Sequence, residues 1–411
     1  MPNPIRSRRK ILAASCLILV MITACQLFTR RSSSPPTVVP AIQASATRRI
    51  TPHAEISATP NPTASRAAPA TFGSVKEIVV TIDAPSLEGN LLHERQEQFV
   101  QIYLPPSYER SDLQYPVIYY LPGFGSVTQG DNDYFTADEL ASQMARGEIK
   151  EMILVVPNGA NVLDGSFYVN SPVTGNWEDF ILQDVIGYVD GNYRTIPETA
   201  GRGIAGFSMG GFSAIDLAMR HPDIFTAAYG MSPALFDRHG LERSLMFDSE
   251  GKQLTQLRKL KELESLPPEE ALRKMIHFDG PLIFTVAYGA AFAPNPELGP
   301  PYFDYPIKEE NGEAKRIPEV WERWKNGFGG WNWKVEHYYD NLSSLSGLMF
   351  DYGTEDLVWI REGSEFLSNQ LDEAGIAHQV YVYEGGHGAH FSERIFNKML
   401  PFFNRLLVDP R

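Results

Sequence analysis

Cysteine is nearly absent from this sequence of 411 residues, since the two that occur, Cys16 and Cys25, both lie close to the N-terminus. The remainder therefore has no internal disulfide, no thiolate metal site and no cysteine nucleophile. Basic residues are also few, because 36 lysines and arginines stand against 50 aspartates and glutamates. Nine of the basic residues and one of the acids fall within positions 1–72, so residues 73–411 carry a formal net charge of −22. Such a charge repels phosphate backbones and argues against a nucleic-acid partner.

Long hydrophobic runs are also missing, apart from a short one near the N-terminus. Residues 5–10 are basic and residues 11–24 (ILAASCLILVMITA) are apolar, a layout that is typical of a secretory signal and short for a membrane-spanning helix. The run ends in Ile22-Thr23-Ala24-Cys25, which resembles the bacterial lipobox, in which the cysteine is lipidated and becomes the new N-terminus. We therefore expect residues 1–24 to be a lipoprotein signal peptide and Cys25 to anchor the protein, extracytoplasmically, to a cell membrane. The alternative is an uncleaved signal anchor with an incidental cysteine.

Residues 25–72 differ in composition from the remainder of the chain. They are rich in Ser, Thr, Pro and Ala, and such a stretch buries too little apolar area to offset its chain entropy. We interpret it as a disordered tether that leads to one folded domain at 73–411.

Apolar runs and helical patterns alternate from about residue 75 onwards. The apolar runs predict eight strands, at 75–83, 98–104, 116–121, 152–156, 202–207, 226–230, 347–351 and 378–384. Helical patterns occur at about 134–147, 177–192, 209–220, 361–374 and 391–407. This alternation predicts an α/β fold, a mostly parallel eight-stranded sheet flanked by helices, with an antiparallel hairpin at its start. The stretch at about 235–345, between strands six and seven, is too long for a bare loop and predicts a cap insertion.

The most informative motif is Gly206-x-Ser208-x-Gly210, which lies between a predicted strand and a predicted helix. That context is the one required for a nucleophile elbow, in which a serine sits on a sharp turn with its oxygen clear of the backbone. The flanking glycines are needed because side chains there would collide with the neighbouring strand and helix. A tight strand-to-helix turn with an idle serine is the alternative.

A serine nucleophile needs a base, and two histidines follow the last predicted strand in the segment 384–390 (EGGHGAH). We assign His387 as the base because its glycine neighbours allow a close approach to the serine. His390 is expected to start the final helix, but it could also line the substrate pocket or be the base itself.

An acid should follow the seventh strand, where three carboxylates compete in the segment 351–357 (DYGTEDL). Asp356 lies deepest in the turn and is assigned to orient the histidine. Asp351 is expected at the strand end and Glu355 in solvent, and any of the three could instead cap the next helix.

Acyl transfer also requires donors for an oxyanion. The backbone N–H of Met209, directly after the serine, is one candidate. The loop after the third strand supplies the other, with Phe124 as the expected donor and Gly123 as the alternative.

Taken together, these motifs resemble the esterase D branch of the α/β-hydrolases, which includes S-formylglutathione hydrolases, feruloyl and acetylxylan esterases and mycolyltransferases. The matching segments cover roughly 76–405 apart from the insertion, and they are 115–125 (YPVIYYLPGFG), 190–195 (DGNYRT), 206–211 (GFSMGG), 353–356 (GTED) and 385–387 (GGH). The resemblance implies the α/β-hydrolase fold and a serine hydrolase with Ser208, Asp356 and His387 as its triad. The chain departs from the family at Pro122, where histidine is usual before Gly123.

Aromatic residues are concentrated in the insertion, where four of the six tryptophans lie between positions 321 and 333. Trp331 and Trp333, with Trp177 near the site, are candidates for binding a sugar ring, a phenolic acyl group or a lipid chain. The alternative is that they pack the insertion onto the body, because aromatic side chains dominate packing in all proteins. The cluster 131–133 (DND) lacks the spaced pattern of a calcium site, so no metal is predicted.

These observations predict a lipid-anchored, extracytoplasmic serine esterase that needs no cofactor and acts on a small-molecule, glycan or lipid ester. An acyltransferase, which would pass the acyl group to a sugar or lipid hydroxyl, uses the same residues and is the first alternative. The second is a surface binding protein on an inactive hydrolase scaffold.

Overall fold

A mixed eight-stranded sheet forms the centre of the computed structural model, which describes residues 73–126 and 134–411. Its strands are β1 (Lys76–Asp83), β2 (Glu97–Leu104), β3 (Val117–Leu121), β4 (Ile153–Pro157), β5 (Arg202–Phe207), β6 (Ala227–Met231), β7 (Gly347–Gly353) and β8 (Gln379–Tyr383). They are ordered β1-β2-β4-β3-β5-β6-β7-β8 across the sheet. Strand β2 runs antiparallel to both its neighbours, and every other adjacent pair is parallel. The predicted eight-stranded sheet and its opening hairpin are therefore confirmed.

Helices cover both faces of the sheet. Those of the body are α1 (Ala137–Ala145), the composite α2 (177–192, with a π-helical middle at Phe180–Val185), α3 (Met209–Arg220), α11 (Val358–Ala374) and the composite α12 (391–406, with a π-helical middle at Ile395–Met399). The insertion after β6 contributes α4 (Gly240–Arg243), α5 (Glu250–Glu264), α6 (Pro268–Met275), α7 (Gly280–Phe292), α8 (Pro318–Phe328), α9 (Trp331–His337) and α10 (Tyr339–Ser344). Short 3₁₀ turns occur at Pro85–Leu87, Tyr108–Arg110 and Thr199–Gly201, and two-residue strands at Asn170–Ser171 and Gly175–Asn176 form a small ribbon. None of the helices within residues 73–126 and 134–411 has the length and apolar character needed to cross a membrane.

The central strands read as continuous apolar runs because both of their faces are covered. Strand β3 is an example, since all five of its residues are buried. Its Tyr119 packs in the core that includes α2 and α3, whereas Tyr120 packs in the core that includes α1 and α12. The sheet therefore separates two apolar cores.

The insertion packs on the body through aromatic rings. Phe284 of α7 lies edge-on to Phe167, with ring centroids 5.7 Å apart, and Phe328 of α8 lies 4.9 Å from Phe212 of α3. A second small ribbon, Ile307–Glu310 with Glu313–Arg316, lies on the outer part of the insertion. The charged stretch of the insertion near 253–276 contains two helices, α5 and α6, because Pro267 and Pro268 interrupt the helical pattern. The chain between the sixth and seventh strands therefore folds into seven helices and a small ribbon.

Candidate active site

Ser208 lies at the junction of β5 and α3, in a backbone conformation that L-residues rarely adopt (φ 56°, ψ −114°). Such a conformation costs free energy and persists only where the surroundings hold it. Here the Ser208 N–H donates to the Met231 carbonyl at 2.9 Å, and the Ser208 carbonyl accepts the Ala234 N–H at 3.0 Å. The turn is therefore held against the end of β6, and the serine side chain is presented at the carboxyl ends of the strands.

The glycines of the motif are required by the space around them. A Cβ atom on Gly210 would lie 1.9 Å from the Leu121 carbonyl oxygen, and one on Gly206 would lie 2.3 Å from the Gly210 carbonyl oxygen. Both distances are far below any real contact between these atoms. The chain from β5 to α3 can pass β3 this closely only because neither residue has a side chain.

His387 and Asp356 complete a hydrogen-bonded chain with the serine. The Ser208 hydroxyl lies 2.9 Å from His387 Nε2, and His387 Nδ1 lies 2.9 Å from Asp356 Oδ1. A carboxylate only accepts hydrogen bonds, so we assign the proton to Nδ1, which leaves Nε2 free to accept the serine proton. The Asp356 side chain has no exposure, whereas that of His387 is 21% exposed. An incoming substrate therefore reaches this hydrogen-bonded triad from the Ser208 side.

The two loops that bring His387 and Asp356 together are bonded to each other. The Thr354 and Glu355 amides donate to the carbonyls of Tyr383 and Gly385. A Cβ on Gly353 would lie 2.1 Å from the Gly385 carbonyl oxygen, so the contact requires glycine at position 353. The Asp356 side chain is also held by the backbone of the next residue, because its Oδ1 accepts the Leu357 N–H at 2.7 Å.

The predicted oxyanion loop lies against the serine turn. A Cβ on Gly123 would be 3.5 Å from Ser208 Cβ, which places this backbone directly beside the nucleophile. The buried Tyr168 hydroxyl donates to the Pro122 carbonyl at 3.1 Å, and the Gly125 N–H donates to the Asp164 carbonyl at 2.7 Å. The proline therefore leaves the loop well anchored. The assignment of the amides of Met209, Phe124 and Gly123 as oxyanion donors stays a prediction.

The competing candidates have other roles. Asp351 lies within β7, wholly buried and paired with Arg394, and Glu355 is exposed. His390 precedes the first residue of α12, as expected, with Nε2 3.1 Å from the Glu384 carbonyl and Nδ1 3.3 Å from Glu393. Neither of these contacts brings His390 to Ser208, and the base position is occupied by His387.

Two of the three tryptophans assigned to substrate binding are packing residues, which corrects that prediction. Trp177 is fully buried and its indole N–H donates to the Thr174 carbonyl. Trp331 is 1% exposed and packs against both Phe212 and the Lys334 ammonium. Trp333 is 56% exposed and stacks on His337. Successive positions on α9 face different ways, so a cluster in sequence is not a cluster in space.

Four side chains behind the site were not identified from the sequence, namely Arg394, Ser232, Tyr168 and Tyr383. Arg394 and Ser232 bond to each other and to the segment that carries His387, and Tyr168 bonds to the oxyanion loop. Burial raises the pKa of Tyr383, which contacts the same segment, to about 12. No local pattern marks these residues, because partners such as Asp351 for Arg394 and Pro122 for Tyr168 lie far away in the chain. Cys25 and the segment 131–133 lie outside the described residues.

The middle of the chain matches a known protein family. Residues 95–297 match the family described as "Putative esterase". This part of the chain belongs to that family of α/β-hydrolases. The matched part contains Ser208 and the oxyanion loop, whereas Asp356 and His387 lie beyond it.

Relatives in sequence include Esterase Rv1288 and Esterase MT1326 of Mycobacterium tuberculosis, each 36% identical over 135 residues. The match covers 31% of this chain and 27% of each relative, so it spans about a quarter of their length.

Similar solved structures include a ferulic acid esterase, with a TM-score of 0.54 and 22% identity over 82% of this chain and 99% of that one. Another is FphF, a fluorophosphonate-binding serine hydrolase of Staphylococcus aureus, with a TM-score of 0.51 and 15% identity over 81% of this chain and 99% of that one. At these identities the likeness establishes the α/β-hydrolase fold.

Proposed function

We propose that this esterase-family protein hydrolyses carboxylic esters through an acyl-enzyme on Ser208. The observation that carries the proposal is the continuous chain from the Ser208 hydroxyl through His387 to buried Asp356, with both hydrogen bonds at 2.9 Å. A nucleophile, a base within hydrogen-bonding distance and a carboxylate that orients the base are together the arrangement needed for acyl transfer.

The first half of the reaction forms the acyl-enzyme. Ser208 Oγ attacks the ester carbonyl carbon while His387 Nε2 takes the hydroxyl proton. The carbonyl oxygen becomes an oxyanion, for which the Met209 amide and the amide of Phe124 or Gly123 are the proposed donors. The C–O bond to the alcohol then breaks, and His387 gives its proton to the departing alkoxide.

The second half returns the free enzyme. Water attacks the acyl carbon, His387 accepts a proton from it, and the same proton passes to Ser208 Oγ as the carboxylic acid leaves. Throughout, Asp356 stabilises the imidazolium and holds the tautomer.

An aromatic acyl group is the first substrate class to test. One structural neighbour is a ferulic acid esterase. In this chain Phe124 of the oxyanion loop packs against Phe284 of the insertion, with ring centroids 4.8 Å apart. Phe124 is partly exposed and directly follows Gly123, whose backbone lies beside Ser208, so its ring suits a planar phenolic acyl group better than a charged one.

The proposed site of action is outside the cytoplasm, at a membrane. The basic and apolar N-terminal segment that ends in Ile22-Thr23-Ala24-Cys25 supports lipidation of Cys25. The Ser/Thr/Pro-rich stretch 25–72 would then separate the esterase domain from the lipid surface.

A fluorophosphonate probe tests the activity. We expect the full-length protein to be labelled and to hydrolyse p-nitrophenyl acetate and methyl ferulate, and Ser208→Ala to lose labelling with a fall in kcat of about 10⁴-fold or more. Ser344→Ala, which changes an exposed serine of α10, is the matched control and should behave as the unaltered protein does. Absence of both labelling and turnover in a folded sample would instead favour a binding protein on a hydrolase scaffold.

A further inference from the structure

A buried ion pair lies directly behind the catalytic histidine. Arg394 of α12 is 1% exposed, and Asp351 of β7 has no exposure. The guanidinium donates from Nη2 to Asp351 Oδ1 at 2.7 Å and from Nε to Oδ2 at 3.2 Å, so both carboxylate oxygens are engaged. The same carboxylate accepts the Tyr229 hydroxyl and the Ser232 N–H, each at 2.9 Å. The aspartate is thereby fixed in one orientation, and so is the arginine that it holds.

The remaining donors of Arg394 point to the histidine segment. Nη1 donates to the carbonyl oxygens of Ala389 at 3.1 Å and His387 at 3.4 Å, and Nη2 donates to Ser232 Oγ at 3.0 Å. The Tyr383 hydroxyl lies 3.3 Å from the His387 carbonyl and 2.8 Å from Ser232 Oγ. The His387 backbone is therefore held by a buried cation, whereas the His387 ring bonds to Ser208 and Asp356.

The pair also connects the three segments that carry the triad. Asp351 is in the strand that leads into the Asp356 turn, and Arg394 bonds to the segment that contains His387. Ser232 directly follows Met231, whose carbonyl accepts the Ser208 amide. The Arg394 guanidinium is thus linked to all three segments. Ser232 leads to the nucleophile turn, Asp351 leads to the acid turn, and the His387 carbonyl belongs to the histidine loop.

We propose that Arg394, oriented by Asp351, is a positioning residue that fixes the histidine loop so that His387 stays between Ser208 Oγ and Asp356 Oδ1. The inference rests on the proposed esterase function. Burying a charge pair costs desolvation free energy, so stability alone is a weak reason for such a pair. Catalytic geometry is a stronger one, because a displacement of about 1 Å at a reacting group can cost roughly 100-fold in rate.

Arg394→Lys is the sharpest variant. Lysine keeps the charge beside Asp351 but lacks the planar fork that reaches both the carboxylate and the loop carbonyls. We expect kcat and the rate of fluorophosphonate labelling of Ser208 to fall about tenfold or more, while KM changes by less than about twofold. The matched control is Arg202→Lys, which alters a largely buried pair with Asp190 at the start of β5, at the opposite end of the strand from Ser208. It should lower the melting temperature without lowering the labelling rate of the folded protein.

A measurement of the histidine itself separates this inference from the esterase proposal. In ¹⁵N-histidine-labelled full-length protein, we expect a downfield Nδ1–H proton signal from His387, assigned by its loss in His387→Gln. Arg394→Lys should broaden or shift that signal, whereas Arg202→Lys should not. Because the signal does not depend on turnover, it tests the positioning role even if no ester is cleaved.

The outcomes are distinct. Slower labelling together with an altered His387 signal supports the inference. A folded Arg394→Lys protein with an unaltered His387 signal and labelling at the unaltered rate would overturn it. If Arg394→Lys does not fold, the double variant Arg394→Met, Asp351→Asn removes both charges, and the same two readouts apply to it.

Discussion

Asp356 shows how much a single side chain depends on its surroundings. Its carboxylate is excluded from solvent, and one oxygen accepts both the His387 ring N–H and the Leu357 amide. Its neighbour Glu355 is exposed although it carries the same functional group. A buried carboxylate that is aimed at an imidazole stabilises the imidazolium, whereas an exposed one is screened by water.

This difference predicts unequal effects for two conservative changes. Asp356→Asn should lower kcat about 10³- to 10⁴-fold at neutral pH, because an amide does not hold the productive tautomer of His387. Glu355→Gln, the matched control, should leave kcat within about twofold. Initial rates with p-nitrophenyl acetate would check both. A large loss in Glu355→Gln with little in Asp356→Asn would show that the triad acid is misassigned.

Between elements, a chain of charges joins the nucleophile helix to the insertion. Asp216 of α3 pairs with Lys334 of α9 at 3.4 Å and with Arg220 at 2.8 Å, and Arg220 pairs with Glu178 of α2. Burial by itself would raise the pKa of Asp216, but Lys334 and Arg220 outweigh it and hold the pKa below its usual value. The charged form of Asp216 is therefore favoured more in the folded protein than in the unfolded one.

The stability that this carboxylate contributes should be lost in acid. Because its folded pKa lies below the unfolded value of about 3.9, the contribution is complete above that pH and fades as pH falls through the folded pKa. We expect Asp216→Asn to lower the free energy of unfolding by about 3 kcal/mol at pH 7, with a difference that shrinks below about pH 4. Urea unfolding at several pH values would measure it.

The control for Asp216 is Glu336→Gln, which changes an exposed carboxylate of α9 and should have little effect at any pH. A deficit in Asp216→Asn that stays the same size from pH 7 to pH 3 would contradict the assignment. Such a result would mean that the amide disturbs packing and that the charge of Asp216 contributes little.

At the scale of the whole molecule, the charge is divided between two parts of opposite sign. Residues 1–72 carry nine basic side chains and one acidic one, and residues 73–411 carry a net charge of −22. A basic N-terminal part is compatible with an anionic membrane surface, whereas the acidic domain is repelled by it. This division of charge is consistent with the proposed arrangement, in which residues 25–72 tether the acidic domain to a lipid surface.

The proposed lipid anchor predicts where the protein is found in a cell. In a bacterial host that processes lipoproteins, Cys25→Ala should move the protein out of the membrane fraction and abolish incorporation of labelled fatty acid. Cys16→Ala, within the apolar run, is the control and should leave both unchanged. If Cys25→Ala remains in the membrane fraction, the uncleaved signal anchor is the correct interpretation.

Much of this protein can be predicted from local pattern. The apolar runs locate each of the eight strands to within two residues at either end, because a run bounded by turn residues identifies a buried strand. The triad residues stand out for a similar reason: Ser208 and His387 are flanked by glycines, and Asp356 lies in a turn just after Gly353, so their positions are evident in the chain itself. The roles of the tryptophans are harder to predict. Trp177 and Trp331 are residues of a type that often binds substrates, but here both are buried and pack in the core.

Local patterns are enough to predict the succession of strands and helices along the chain and the family that it resembles. They also identify a serine, a histidine and an acid that could act together. The folded arrangement is needed to show that their atoms lie at hydrogen-bonding distance, and that Asp351 pairs with Arg394 rather than with the histidine. The two kinds of information differ because local patterns report backbone preference and burial. Contacts between residues far apart in the chain depend instead on how the strands are ordered and on which side chains share a face.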